Sequence, residues 1–228
     1  MKIEIQNQGA FASALIQLEK DEEFVSEAGA MYRASPNLDI DVTTKSRGKG
    51  GVLAGVKRWL ARESFFFSRY RVDDGTRGEV GLAPTLQGDI RVLELDGSTT
   101  WLTTGGSFLG ASSALSLDTQ FQGMKGLVGG EGLAFLRIDG RGSLIVSAFG
   151  RIAELEVRDA LIVDTGHVVA FEGSLDYRIT KAGSSWMHSF FGGEGLVFHF
   201  RGRGRLLVQS HNPRDLGPQL GRLLPPKP

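Results

Sequence analysis

The chain has 228 residues, room for a large core or for two ordinary domains, and its 41% apolar and 23% charged content is that of a soluble globular protein. Lysine and arginine together number 26, as do aspartate and glutamate, so the balance excludes an electrostatic nucleic-acid binder at the level of the whole molecule. Cysteine is absent, which removes disulfides, thiolate nucleophiles and thiolate metal sites and suits a reducing cytoplasm.

Strand signals begin at once. Ile3-Glu4-Ile5 alternates apolar and polar residues, and the same period of two recurs in Leu38-Asp39-Ile40-Asp41-Val42, in Ile90–Leu95 and in Leu155–Val157. The first residues lack the charged-then-apolar layout of a secretory signal, and no apolar run approaches the ~20 residues needed to span a bilayer. A cytoplasmic protein, peripheral at the membrane if it meets one, is the expectation.

One pattern is written three times. LIQLEKDEEFVSEAGAMY (15–32), VLELDGSTTWLTTGGSFL (92–109) and ELEVRDALIVDTGHVV (154–169) each run strand, polar turn, strand, glycine. Each is followed by a second pattern of glycine turns and apolar strands: RESFFFSRYRVDDGTRGEVGLAP (62–84), GGEGLAFLRIDGRGSLIVSAFG (129–150) and GGEGLVFHFRGRGRLLVQS (192–210). Repetition at this spacing specifies architecture. We expect an all-β protein of three tandem sandwich modules around a pseudo-threefold axis: residues 1–84 with a basic and apolar insertion at 45–62, residues 85–147, and residues 148–212. A tail at 213–228 follows, with PRDLGPQLGRLL (213–224) forming a short helix before a frayed end. GVLAGVKRWLARES (51–64) is the other helical candidate, worth two amphipathic turns. Gly140-Arg141-Gly142 and Gly202-Arg203-Gly204 read as hairpin turns and not as an arginine–glycine RNA segment.

Searching for chemistry yields little. HExxH, GxSxG, the P-loop and a GxGxxG opening a helix are all missing. Asp164-Thr165-Gly166-His167 sets a carboxylate near an imidazole, and a structural role, with Asp164 accepting from turn amides, is favoured. In the sequence register His167 falls on Gly106. Glu63, Glu131 and Glu194 stand at matching points of the three copies and are weak candidates for a hard-metal site, because converging carboxylates need a cation to neutralise them. No cofactor and no catalytic residue is expected.

The segments before those glutamates are apolar where connections are normally polar. They contribute Lys57, Arg58, Trp59, Leu60 and Arg62 in the first, Leu127 in the second, and Trp186 and Phe190 in the third. Between Lys45 and Arg71 lie eight basic residues and one acid, Glu63. Apolar side chains with lysine and arginine make an interfacial anchor or a protein-docking surface, while packing as a structural cap is the competing account. The favoured function is a non-enzymatic scaffold or adaptor contacting a membrane surface or protein partner, with homo-oligomers included and nucleic acid disfavoured. A small-ligand, metal or nucleic-acid binding module and an uncharacterised enzyme are the alternatives.

The chain also resembles a known family. Glu27-Ala28-Gly29-Ala30-Met31, Gly88-Asp89-Ile90, Phe121-Gln122-Gly123, Gly129-Gly130-Glu131-Gly132, Val163–His167 and Phe191–Gly195 are similar to the altered-inheritance-of-mitochondria protein 24 family. That resemblance implies an all-β fold similar to the tryptophan-RNA-binding attenuation protein, of double-stranded β-helix type and repeated in tandem. Mitochondrial members look like inner-membrane organisation factors, and the resemblance supplies no catalytic residue.

Overall fold

The computed structural model describes residues 1–43, 66–122, 133–181 and 196–225. These form nineteen strands and one α-helix, so the architecture is all-β as expected. The strands are β1 (Lys2–Gln6), β2 (Ser13–Glu19), β3 (Glu23–Glu27), β4 (Met31–Ala34), β5 (Leu38–Thr43), β6 (Phe67–Val72) and β7 (Arg77–Leu82). Then come β8 (Ile90–Asp96), β9 (Trp101–Thr104), β10 (Phe108–Ser112), β11 (Ser116–Gln122), β12 (Leu133–Asp139) and β13 (Arg141–Ser147). The last are β14 (Ile152–Val157), β15 (Ala160–Asp164), β16 (Val168–Glu172), β17 (Asp176–Lys181), β18 (Leu196–Arg201) and β19 (Gly204–Gln209), before α1 (Pro213–Gly221).

Four antiparallel sheets result. The first has the order β1-β2-β7-β4, the second β5-β6-β3-β10-β13-β8, the third β11-β12-β9-β16-β19-β14 and the fourth β15-β18-β17. One pairing pattern recurs: β2-β7-β4, β8-β13-β10 and β14-β19-β16 have the same order, as do β3-β6-β5, β9-β12-β11 and β15-β18-β17. The ladders of β4, β10 and β16 also break at matching points, between Met31 and Arg33, between Phe108 and Gly110, and between Val168 and Ala170. Tyr32, Leu109 and Val169 are therefore corresponding bulge residues. This register sets Gly106 against Gly166, so His167 corresponds to Ser107, one place away from the sequence alignment.

Three cores lie between successive sheets. Ile16, Leu18, Val80 and Leu82 of the first sheet meet Phe24, Tyr70, Leu109 and Ile145 of the second. Val25, Phe67, Phe108 and Leu144 of the second meet Trp101, Leu136, Ile138 and Leu207 of the third. Leu102, Phe135, Phe171 and Leu206 of the third meet Phe198 and Phe200 of the fourth. Neighbouring side chains point to opposite faces, so a strand between two cores must be apolar throughout. That is why Phe108-Leu109, Leu144-Ile145-Val146 and Val168–Phe171 are continuous apolar runs. Edge strand β5 alternates instead, and beyond buried Leu38 its Ile40 and Val42 are exposed.

Most turns carry the chain from one sheet to the next. Gly140 and Gly202, with φ of 114° and 103°, begin such turns. The hairpin expected at Gly140–Gly142 is therefore a corner: β12 enters the third sheet and β13 the second, and they do not pair with each other. Consecutive strands that do pair directly are β1 with β2, β5 with β6, β11 with β12 and β17 with β18. The terminal helix expected at 213–224 is α1, whose first turn is capped by Asn212 accepting from Arg214 N. Residues 226–228 and the helical candidate at 51–64 lie outside the described residues.

Candidate functional site

Where β3, β9 and β15 end, the chain turns back towards the neighbouring sheet, and these ends line an open cavity of about 590 Å³. Its wall includes Glu27, Thr104, Ser107, Thr165, Gln209 and Arg214. Glu27 and Thr104 occupy corresponding places, each two residues before a turn glycine with positive φ, Gly29 (89°) and Gly106 (82°).

Hydrogen bonds hold much of this wall. Thr104 Oγ1 donates to Val168 O at 2.7 Å. Gln209 donates through Nε2 to Gly166 O at 2.7 Å and accepts at Oε1 from Phe149 N at 2.8 Å. His167 Nδ1 lies 2.7 Å from Gln209 O, so this nitrogen carries the proton and donates. Asp164 Oδ1 accepts from Gly166 N at 2.8 Å, capping the 3-10 turn Thr165–His167. The Asp164–His167 pair is thus a turn clamp. Glu27 differs, because burial pushes its carboxyl above the usual range. Glu27 and Arg214 are the ionisable residues of the wall, set among hydroxyls, an amide and backbone. Such a surface can hold a small polar molecule by hydrogen bonds. Sequence reading passed over Glu27 and Gln209, since a single acid or amide at a strand end carries no motif; alignment of Gly29 with Gly106 was the signal that could have drawn attention to Glu27.

The residues singled out for docking, Lys57, Arg58, Trp59, Leu60, Arg62, Leu127, Trp186 and Phe190, all lie outside the described residues. So do Glu63, Glu131 and Glu194. Among the described residues no group of three or more histidines and carboxylates is arranged to hold a metal ion. Among them also, no helix is long and apolar enough to cross a membrane.

Comparison with known proteins agrees with the strand pattern over nearly the whole chain. Residues 3–211 match the family described as mitochondrial biogenesis AIM24. The chain belongs to the AIM24 family. An uncharacterized protein of Streptococcus pyogenes serotype M6 is 30% identical over 231 residues, spanning 99% of this chain and 92% of that one. An X-ray crystal structure of a Streptococcus pyogenes protein is similar with a TM-score of 0.80 and 28% identity, covering 98% of this chain and 99% of that chain. This AIM24-family chain is therefore similar in fold to a bacterial protein along nearly its whole length.

Proposed function

We propose that this AIM24-family chain is a non-enzymatic scaffold or adaptor, contacting an anionic membrane surface or a protein partner through apolar and basic segments. The observation that carries the reading is where those segments attach. Residues 44–65, 123–132 and 182–195 join β5 to β6, β11 to β12 and β17 to β18, the three corresponding paired hairpins. The last pairs before them are Thr43 with Phe67, Gln122 with Leu133 and Lys181 with Leu196. Their sequences carry Trp59, Leu60, Trp186 and Phe190, and the first adds Lys57, Arg58 and Arg62.

Each lysine or arginine at an anionic leaflet is worth about 1 kcal/mol and is screened within ~8–10 Å at physiological salt. Vesicles containing phosphatidylserine should therefore sediment the protein at low salt and release it as salt rises. Reversing Lys57, Arg58 and Arg62 to glutamate should abolish that binding. Equal binding to neutral vesicles, or none at low salt, rejects the membrane form of the proposal.

A second reading, of a small-ligand binding module, is favoured by one observation: a desolvated Glu27 carboxyl on the wall of the cavity. An amine or other small cation would compensate its charge.

A further inference from the structure

Two strands of this chain are halves of an interface that the chain already makes twice. In the second sheet, β3 lies antiparallel to β10 with Ser26 opposite Gly110 and Val25 opposite Ala111. In the third sheet, β9 lies antiparallel to β16 with Thr103 opposite Ala170 and Leu102 opposite Phe171. These are the same contact at corresponding positions, joining two three-strand halves into a six-stranded sheet. The first and fourth sheets hold what remains, β4 at one edge and β15 at another. The bulge register matches β4 with β10 and β16, and strand order matches β15 with β3 and β9. Among the described residues, β4 pairs only with β7 and β15 only with β18.

Their side chains carry the mark of a missing neighbour. Met31 is 40% exposed, whereas the matching Phe108 and Val168 are each 1% exposed. Ile162 is 61% exposed, whereas the matching Val25 and Leu102 are at 9% and 6%. Both matched residues are buried in the core of the set whose strand they join, Val25 beside Ala111 and Leu102 beside Phe171. Ala34, which takes the place of Ala111 and Phe171, packs against the first core but is only partly buried.

We propose that β4 of one chain pairs antiparallel with β15 of a second copy, Ala34 opposite Ile162 and Arg33 opposite Val163. This completes a sheet of the same construction as the second and third. Ile162 then enters the first core of the neighbouring chain, and unpaired backbone groups of both edges gain partners. The occupant is a second copy because each edge is the counterpart of the other. Within one chain the two edges belong to separate sheets and do not pair with each other. Every chain offers one edge of each kind, so the contact is head-to-tail and propagates into a ring or a filament.

The chain has no cysteine, so introduced thiols report pairing directly. Ala34→Cys and Ile162→Cys are made as separate full-length variants, with Arg33→Cys and Val163→Cys as the adjacent pair. Hydrogen-bonded and non-hydrogen-bonded pairs alternate along an antiparallel ladder, so one pair has the closer spacing that suits a disulfide. Oxidising a mixture of the two complementary variants should give covalent dimer, and either variant alone should give none. Light scattering of the unmodified protein should give a mass that is a multiple of 24.6 kDa and falls on dilution. Ile162→Lys should reduce it to the single-chain mass with an unchanged circular dichroism spectrum. A link formed within one chain of the Ala34→Cys/Ile162→Cys double variant, but not between mixed variants, overturns the proposal. A single-chain mass at all concentrations with no cross-link, as expected if the edges await an unrelated protein, also overturns it. Should Ile162→Lys fail to fold, the mixed-variant cross-link still decides.

Discussion

Phe171 is the residue whose loss should be felt most. It lies in β16, is 0% exposed, and has ring centroids of Tyr177 and Phe200 at 5.1 Å, Phe198 at 5.9 Å and Phe135 at 6.1 Å. Its strand is held on both sides, by β9 and by β19, so the backbone cannot settle into the space left by truncation. Phe171→Ala should therefore cost about 3–5 kcal/mol, as buried phenylalanine truncations do when the site cannot collapse. Unfolding entropy of ~2.1 cal/mol/K per residue gives ~0.5 kcal/mol/K for this chain, so Tm should fall by about 6–10 °C. Phe171→Leu keeps most of the volume and should cost less than about 1.5 kcal/mol. Val42→Ala, at a 67% exposed edge position, is the control and should stay within about 0.5 kcal/mol. Thermal and urea unfolding followed by circular dichroism would measure all three. Phe171→Ala behaving like Val42→Ala would refute the third core as an aromatic cluster closed between two sheets.

How much of this was legible in the sequence follows from what each residue pattern encodes. Alternation made Ile3–Ile5 and Ile90–Leu95 legible as strands, but one wet face does not describe β8, whose Ile90 enters the first core and whose Leu93 and Leu95 enter the second. Continuous runs such as Val168–Phe171 also betrayed strands, but not that each lies between two cores. Glycines marked the turns, yet a turn glycine does not say whether the chain returns along its own sheet or crosses to the facing one; Gly140 crosses. The match between GGEGLAF and GGEGLVF sets Phe135 beside Phe198, whereas the ladders set Phe135 opposite Thr104 and Val197 opposite Asp164. Counted from the turn glycines, Phe135 therefore corresponds to Val197, because one fewer residue separates Leu196 from Gly202 than Leu133 from Gly140. The cavity residues were invisible because Glu27, Thr104 and Gln209 come from three distant strand ends. The free edges were invisible for a different reason: Met31 and Ile162 have the same apolar character as their buried counterparts, and only the ending of the repeat leaves them without neighbours.

Two further substitutions probe the junctions between the repeated strand sets. A Cβ on Gly88 would stand 1.7 Å from the Ala148 carbonyl oxygen, where a parallel bridge joins Gly88 to Gly150. Backbone cannot yield as a side chain can, so Gly88→Ala should destabilise by about 1–3 kcal/mol, and a variant as stable as the parent in urea would contradict that packing. At Glu27 the test is one of pH. Burial raises its carboxyl pKa in the folded chain above the value of 4.5 for an unperturbed glutamate, so folding favours the protonated form. The stability this contributes is complete below the unfolded pKa and is lost as pH rises through the raised folded value. Glu27→Gln cannot ionise and escapes that loss. Its stability should run level with the parent at about pH 4 or below and exceed it at about pH 7, the gap opening as the native carboxyl ionises. Parallel urea curves at several pH values give the difference directly. A difference that stays constant across that range would mean that Glu27 is as well solvated in the folded chain as in the unfolded one, and the cavity wall would then lack the strained carboxyl that a cationic ligand would relieve.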